Sequence, residues 1–234
     1  MSDFAPVREL IKDVPGWLSD EEGEALYELA RECTGKGVIV EIGSWKGKST
    51  ICLGLGARAG NGVRIFAVDP HADYRHGEFK ENINRAGIAD LVTPVKGLSQ
   101  DVVGEFDEPI ELLFVDGSHD EDDVRTDFDQ WVPKVVEGGV VAFHDTTWHD
   151  GVRKVVADKV YGSRQFKDVR FVIGSTTIAR KVAANTARDR LHARRVQATK
   201  AVFGASTRLL KKKRSWLPPP VERAGRRVFR LVGR

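Results

Sequence analysis

The sequence predicts an α/β domain built on a mostly parallel sheet with helices on both faces. Three observations carry this. Short β-branched apolar runs alternate with segments of helical periodicity along most of the chain. The runs are apolar rather than alternating, as in VIV and LLFV, which suits strands buried on both faces better than the in-out alternation of a half-exposed sheet. The first run also opens onto a glycine loop, EIGSWKGKST (Glu41 to Thr50), that leads directly into a helix.

The elements follow in order. Ser19 with Glu22 three residues later forms a capping box ahead of leucines and alanines at helical spacing as far as Glu32. After a turn at Gly35 and Gly37, Val38 to Gly43 is the first strand and STICLGLGAR the helix behind it. RIFAVDP (Arg64 to Pro70) is a strand ending in an acid, followed by the helix GEFKENINRAGI. LVTPVKG (Leu91 to Gly97) is the third strand, and SQDVVGEF a short helical turn. ELLFVDGSHD carries a fourth strand ending at Asp116. DDVRTDFDQWVPKVV follows as an amphipathic helix with Val124, Phe128 and Trp131 on one side, its acidic start at Glu121 to Asp123 suiting a helix N-terminus. GGVVAFHD is a fifth strand ending at His144 and Asp145, ahead of a helix from Gly151 to Lys159. RFVIGSTTIAR is read as one last strand, the hairpin partner of an earlier one. The chain divides into a helical segment (1–36), the α/β domain (37–180) and a basic helical tail (181–234).

Composition narrows the function classes. The 234 residues, 41% hydrophobic and 30% charged, support one soluble globular domain with appendages. The net charge of +3 hides an asymmetry: from Arg180 onward 17 Lys/Arg face 2 Asp/Glu, which leaves 20 basic and 32 acidic residues of the totals 37 and 34 for the rest. An acidic body therefore carries a basic tail. Cys33 and Cys52 are the only cysteines, so neither a disulfide framework nor a zinc cluster is written here, and both are expected in the core. MSDFAPVREL lacks a basic stretch followed by an apolar one, and no segment approaches the roughly 18 apolar residues of a membrane span, which predicts a cytoplasmic body. For the tail, KKKR followed by Trp216, Leu217 and the basic amphipathic VERAGRRVFRLVG suits the anionic inner face of a membrane, and the preceding Ala/Arg/Lys-rich helix suits a homodimer contact. Nucleic acid is disfavoured, because the acidic body offers no groove to extend an arginine contact.

In an open α/β sheet the ligand sits beyond the carboxyl ends of the strands. Those positions hold Glu41 and Gly43, Asp69, Ser99 with Gln100, Asp116 with His119, and His144 with Asp145. A phosphate-cradling loop needs four residues between its glycine and Gly-Lys-[Ser/Thr], whereas Gly43 is followed by only Ser44, Trp45 and Lys46 before Gly47. Glu41 would also repel polyphosphate. A magnesium-dependent nucleotide triphosphatase, supported by LLFVD, and an adaptor whose enzymatic fold is idle remain the alternatives. G-x-G-x-x-G is absent, although Asp69 is the right kind of ribose ligand. S-adenosylmethionine fits better. It has a ribose but no phosphate, an amino group that welcomes carboxylates, and a carboxylate suited to the N–H groups of a helix start.

E-I-G-S-x-x-G-x-S-T, V-D-P, VDGSHDEDDVRTDFDQW and GGVVAFHDT together resemble the class I methyltransferases of the macrolide-sugar O-methyltransferase group, with the catechol-type O-methyltransferases more distant. The resemblance covers roughly Gly16 to Ala179 and implies a Rossmann-like, seven-stranded methyltransferase fold. By position, Glu41, Gly43, Ser44, Gly47 and Ser49 would line the methionine end of S-adenosylmethionine, Asp69 would accept the ribose hydroxyls, and Ser99 with Gln100 would meet the adenine. A divalent cation would fall to Asp116, His144 and Asp145, with His119 as the base. Carboxylates favour magnesium, but His144 stands where relatives usually carry an acid, which brings in manganese or iron, or makes His144 a second base. The reaction implied is O-methylation of a sugar or glycoside hydroxyl on a small-molecule or oligosaccharide acceptor. The plainer roles are that Asp116 and Asp145 cap helices, that His119 is a loop histidine, that His149 begins a helix, that His71 and His76 lie on a loop over the substrate, and that Trp45 and Trp131 only pack.

Overall fold

A computed structural model describes residues 3–71 and 75–212. The chain begins with two helices, α1 (Ala5–Ile11) and α2 (Asp20–Arg31), then alternates strand and helix. The order is β1 (Val38–Ile42), α3 (Lys48–Ala59), β2 (Ile65–Asp69), α4 (Arg75–Arg85), β3 (Val92–Lys96), α5 (Ser99–Val102), β4 (Ile110–Val115), α6 (Glu121–Trp131), β5 (Val135–Phe143), α7 (Asp150–Val156), β6 (Phe166–Val172), β7 (Thr176–Lys181) and α8 (Ala187–Lys212). The seven strands form one sheet in the order β3-β2-β1-β4-β5-β7-β6, with β1 to β5 parallel and β7 antiparallel to both its neighbours.

The apolar strands have a simple cause. Alternate strand residues feed two separate cores, one on each face of the sheet. Ile39, Ile65, Leu112 and Phe114 meet Leu26 of α2, Leu53 of α3 and Phe79 of α4. Val40, Leu113, Val141 and Phe143 meet Val124, Phe128 and Trp131 of α6 and Val155 of α7. The predicted α6 stripe is thus buried, each such side chain contributing about 2 to 3 kcal/mol.

Two expectations change. RFVIGSTTIAR is not one strand but a hairpin of β6 and β7, turning at Gly174, where φ is +134° and a Cβ would fall 2.4 Å from the Glu22 carboxyl group. Helix α1 has no counterpart among the predicted elements. The helix expected in the basic tail is α8, which lies on β6, with Ala193 and Lys200 buried, His192 within 2.8 Å of the Val169 carbonyl, and Phe203 against Phe171 and Trp148. Trp216, Leu217 and the basic amphipathic stretch lie outside the described residues. Among the described residues no helix is long and apolar enough to cross a membrane.

Strand order reverses beside β1, and a crevice opens between the tips of β1 and β4. The two backbones nearly touch there. Gly43 adopts φ +88°, and a Cβ on it would sit 2.1 Å from the Asp116 carbonyl oxygen. Gly43→Ala should therefore lower stability by about 3 kcal/mol or more, while Gly62→Ala, at φ +65° but with open space around it, should cost about 1 kcal/mol. Denaturant unfolding of both variants checks this, and equal losses would contradict the close-approach argument.

Candidate active site

A cavity of about 1100 Å³ opens over the strand tips. Its wall includes Gly43, Ser44, Trp45 and Ser49 of the glycine loop, Asp69, Ser99 and Gln100, and Asp116, His119, His144 and Asp145. Sequence-distant positions therefore converge on one space.

The glycine loop is held from several sides. Gly47, left-handed at φ +87°, is the N-cap of α3, and the Trp45 N–H donates to Asp69 Oδ2 at 2.9 Å. Asp69 Oδ1 accepts the His71 N–H at 2.7 Å. Each Asp69 oxygen keeps further acceptor capacity for a cavity hydroxyl. Glu41 and Gly47 stand behind the residues that form the cavity wall. Glu41 is fully buried and accepts the Thr50 hydroxyl on Oε2, while its Oε1 has no partner. Burial pushes its carboxyl up to about 7 against its hydroxyl hydrogen bonds, with the charges of Asp116 and Asp69 adding to the rise. Ser99 donates its hydroxyl to Asp127 of α6, whose carboxyl burial also raises. His71 is buried between His76 and Phe79, so it supports the loop rather than covering a substrate.

At the tips of β4 and β5 the carboxylates and imidazoles form one connected cluster. His144 is 4% exposed, and its Nδ1 lies 2.9 Å from Asp116 Oδ1 and 3.6 Å from Asp145 Oδ2. Its Nε2 faces Glu22 Oε1 of α2 at 3.4 Å. Burial alone would lower the imidazole, but the hydrogen bond to Asp116 and the carboxylates of Asp145 and Glu22 beside the ring outweigh it and push His144 up to about 12. Burial raises Asp116, whereas for Asp145 the same effect is overcome by His144, His119 and His149 and the carboxyl is held low. His119 Nε2 lies 3.0 Å from Asp145 Oδ2 on the solvent side. Asp145 reaches this position through a left-handed backbone, φ +56°, pinned by a hydrogen bond from its N–H to Ser175 Oγ at 3.0 Å. Ligand atoms of Asp116, His144 and Asp145 lie within 4.8 Å of one another, and so do those of His119, Asp145 and His149.

Two further residues join this cluster. His149 does begin α7, but its ring also stacks on His119 at 3.7 Å between centroids and its Nε2 is 3.7 Å from Asp145. Its position four residues after Asp145 was the available signal. Glu22 completes the predicted capping box and also enters the cluster, for which local sequence carries no signal.

The folded-state pKa of Glu41 exceeds the usual 4.5, so its contribution to stability is fully present below 4.5 and lost as pH rises through about 7. Glu41→Gln should remove that component. The fall in unfolding free energy from pH 4.5 to pH 8 should shrink by roughly 3 kcal/mol relative to wild type in denaturant titrations; identical pH profiles would show that Glu41 is not the group responsible.

Comparison with known proteins bears on the fold. Residues 40–146 match a family profile described as methyltransferase domain. An uncharacterised protein of Sinorhizobium fredii is 34% identical over 117 residues, which are 46% of this chain and 13% of that protein, so the chain spans about an eighth of its relative's length. An O-methyltransferase from Bacillus cereus, solved with S-adenosylhomocysteine, superposes with a TM-score of 0.59 at 19% identity over 75% of this chain and 90% of that one. TomG, an O-methyltransferase from Streptomyces achromogenes involved in tomaymycin synthesis and solved with S-adenosylmethionine, gives 0.56 at 22% identity over 76% and 87%. The fold is the Rossmann-like methyltransferase fold.

Proposed function

We propose that this chain, whose residues 40–146 match a methyltransferase-domain profile, is an S-adenosylmethionine-dependent O-methyltransferase that methylates a sugar or glycoside hydroxyl with the help of a divalent cation. One observation carries this reading. The carboxylate and imidazole cluster at the β4 and β5 tips shares a cavity with the glycine loop and Asp69.

S-adenosylmethionine supplies a methyl group on a positively charged sulfur, open to in-line attack. For it the chain offers the N-terminus of α3 toward a carboxylate, Asp69 toward ribose hydroxyls, and Ser99 with Gln100 toward the adenine. A sugar hydroxyl is a weak nucleophile, so its proton must leave as the new O–C bond forms. His119 is placed to take that proton on the exposed side of the cluster, with Asp145 orienting the ring and stabilising the imidazolium. His144 is unsuited to this, since in the cation-free form it holds its proton between carboxylates. The donor set of Asp116, His144 and Asp145 fits a divalent cation, magnesium or manganese, because two carboxylates and one imidazole nitrogen are gathered and the far ring nitrogen has a carboxylate partner. When bound there, the ion lowers the pKa of a coordinated hydroxyl. Acceptor recognition falls to the mouth, where Trp17, 83% exposed, stacks on Trp45 at 5.3 Å and offers an aromatic face to the apolar side of a sugar ring.

Calorimetry should show micromolar binding of S-adenosylhomocysteine and none of ATP; the reverse result would favour the triphosphatase. Asp116→Ala and Asp145→Ala should lose turnover on glycosides and the response to added Mg²⁺ while keeping S-adenosylhomocysteine affinity. Unchanged rates in chelator would remove the cation from the reading. His119→Ala should lower the rate by roughly 10² to 10⁴ at neutral pH. A mild loss there would remove His119 as the base.

A further inference from the structure

We infer that Glu22, on α2 and outside the matched methyltransferase segment, is a positioning residue that orients His144 as a cation ligand. The inference rests on the cation reading above. Capping α2 occupies only one oxygen of this carboxylate: Oε2 accepts the Ser19 N–H at 3.0 Å and the Ser19 hydroxyl at 2.9 Å. The other oxygen is not needed for the cap. Oε1 accepts the Ser175 N–H at 2.6 Å and the Thr176 hydroxyl at 2.8 Å, and faces His144 Nε2 at 3.4 Å.

Three features show that this placement is built. Glu22 is 3% exposed, and a carboxylate taken out of water is tolerated only when its lone pairs are used, as they are here. The β6–β7 turn is shaped around it, since any side chain on Gly174 would meet its carboxyl group. The same turn also holds a second ligand, because Ser175 bonds the Asp145 backbone N–H and lies 3.2 Å from Asp145 Oδ1. One carboxylate therefore fixes both the ring of His144 and the turn that steadies Asp145.

The orientation matters chemically. Nδ1 of His144 looks toward Asp116 and Asp145, and Nε2 toward Glu22. A carboxylate 3.4 Å from Nε2 favours the proton on that nitrogen and leaves the Nδ1 lone pair for the ion, and loss of such an outer partner weakens metal affinity by about 10- to 100-fold.

The test uses the full chain stripped of metal, with Mn²⁺ titrated and followed by electron paramagnetic resonance, S-adenosylhomocysteine affinity by calorimetry, and melting temperature alongside. Glu22→Gln keeps acceptors for Ser175 and Thr176 but removes the charge, and it should raise the Mn²⁺ dissociation constant about 10- to 100-fold with S-adenosylhomocysteine affinity within about twofold of wild type. In turnover, the cation KM should rise while kcat at saturating cation changes little. Glu22→Asp withdraws the charge from the ring by one methylene and should shift Mn²⁺ in the same direction, which covers a Glu22→Gln chain that does not fold. Wild-type Mn²⁺ affinity in both variants, or a parallel loss of Mn²⁺, S-adenosylhomocysteine and melting temperature, would overturn the assignment and leave Glu22 a structural residue. Asp116→Asn separates the two levels. If it loses Mn²⁺ while the Glu22 variants do not, only the role of Glu22 falls; if it binds Mn²⁺ as wild type does, the cation reading itself falls and this inference with it.

Discussion

The approach of β1 to β4 at their tips is the constraint on which the site depends. Parallel pairing carries hydrogen bonds up to the edge, with the Gly43 N–H on the Val68 carbonyl, the Asp116 N–H on Ile42 and the His144 N–H on Val115. The strands therefore end in step, and the residues just past them share one rim. No side chain can stand at position 43, so the chain must turn away at once, and that turn delivers the N-terminus of α3 to the cavity.

Charge is the second organising theme. The rim gathers more carboxylates than a dry site tolerates, and the structure answers in two ways. Glu41, sealed beneath the loop, is moved toward its neutral form. Glu22, Asp116 and Asp145 are instead arranged around the ring of His144, which carries the compensating positive charge when no other cation is near. His119 and His149 sit on the outer side of Asp145, where water shares the load. Inner imidazole and outer imidazoles thus have different work despite their closeness.

Much of this was legible in the sequence, for identifiable reasons. Strands buried on both faces leave apolar runs, and the acids and histidines that follow them mark the rim. The α2 capping box and the Val124, Phe128 and Trp131 stripe were readable because both are local patterns. What escaped depends on tertiary contact. The β6–β7 turn hid because the β-branched Thr176 and Thr177 continue a strand pattern across Gly174 and Ser175, and α1 is a seven-residue helix whose Val7 and Ile11 are too few to set a period. Glu41 could be placed at a strand end, but whether it faced the cavity or the core was decided by packing against Thr50. The second partner of Glu22 lies on the far side of the sheet order, beyond any window of spacing.

The left-handed backbone at Asp145 ties conformation to chemistry at a single position. Apart from glycine, asparagine and aspartate adopt that backbone most readily, and of these only aspartate brings a negative charge. On the proposed cation reading, drift at this position is narrow: a glutamate would keep the charge and strain the turn, a glycine would relax the turn and remove the carboxylate. Asparagine alone is a silent exit, preserving the scaffold while switching off the electrostatics. A descendant of this chain that had abandoned the chemistry but kept the fold would be expected to carry it there.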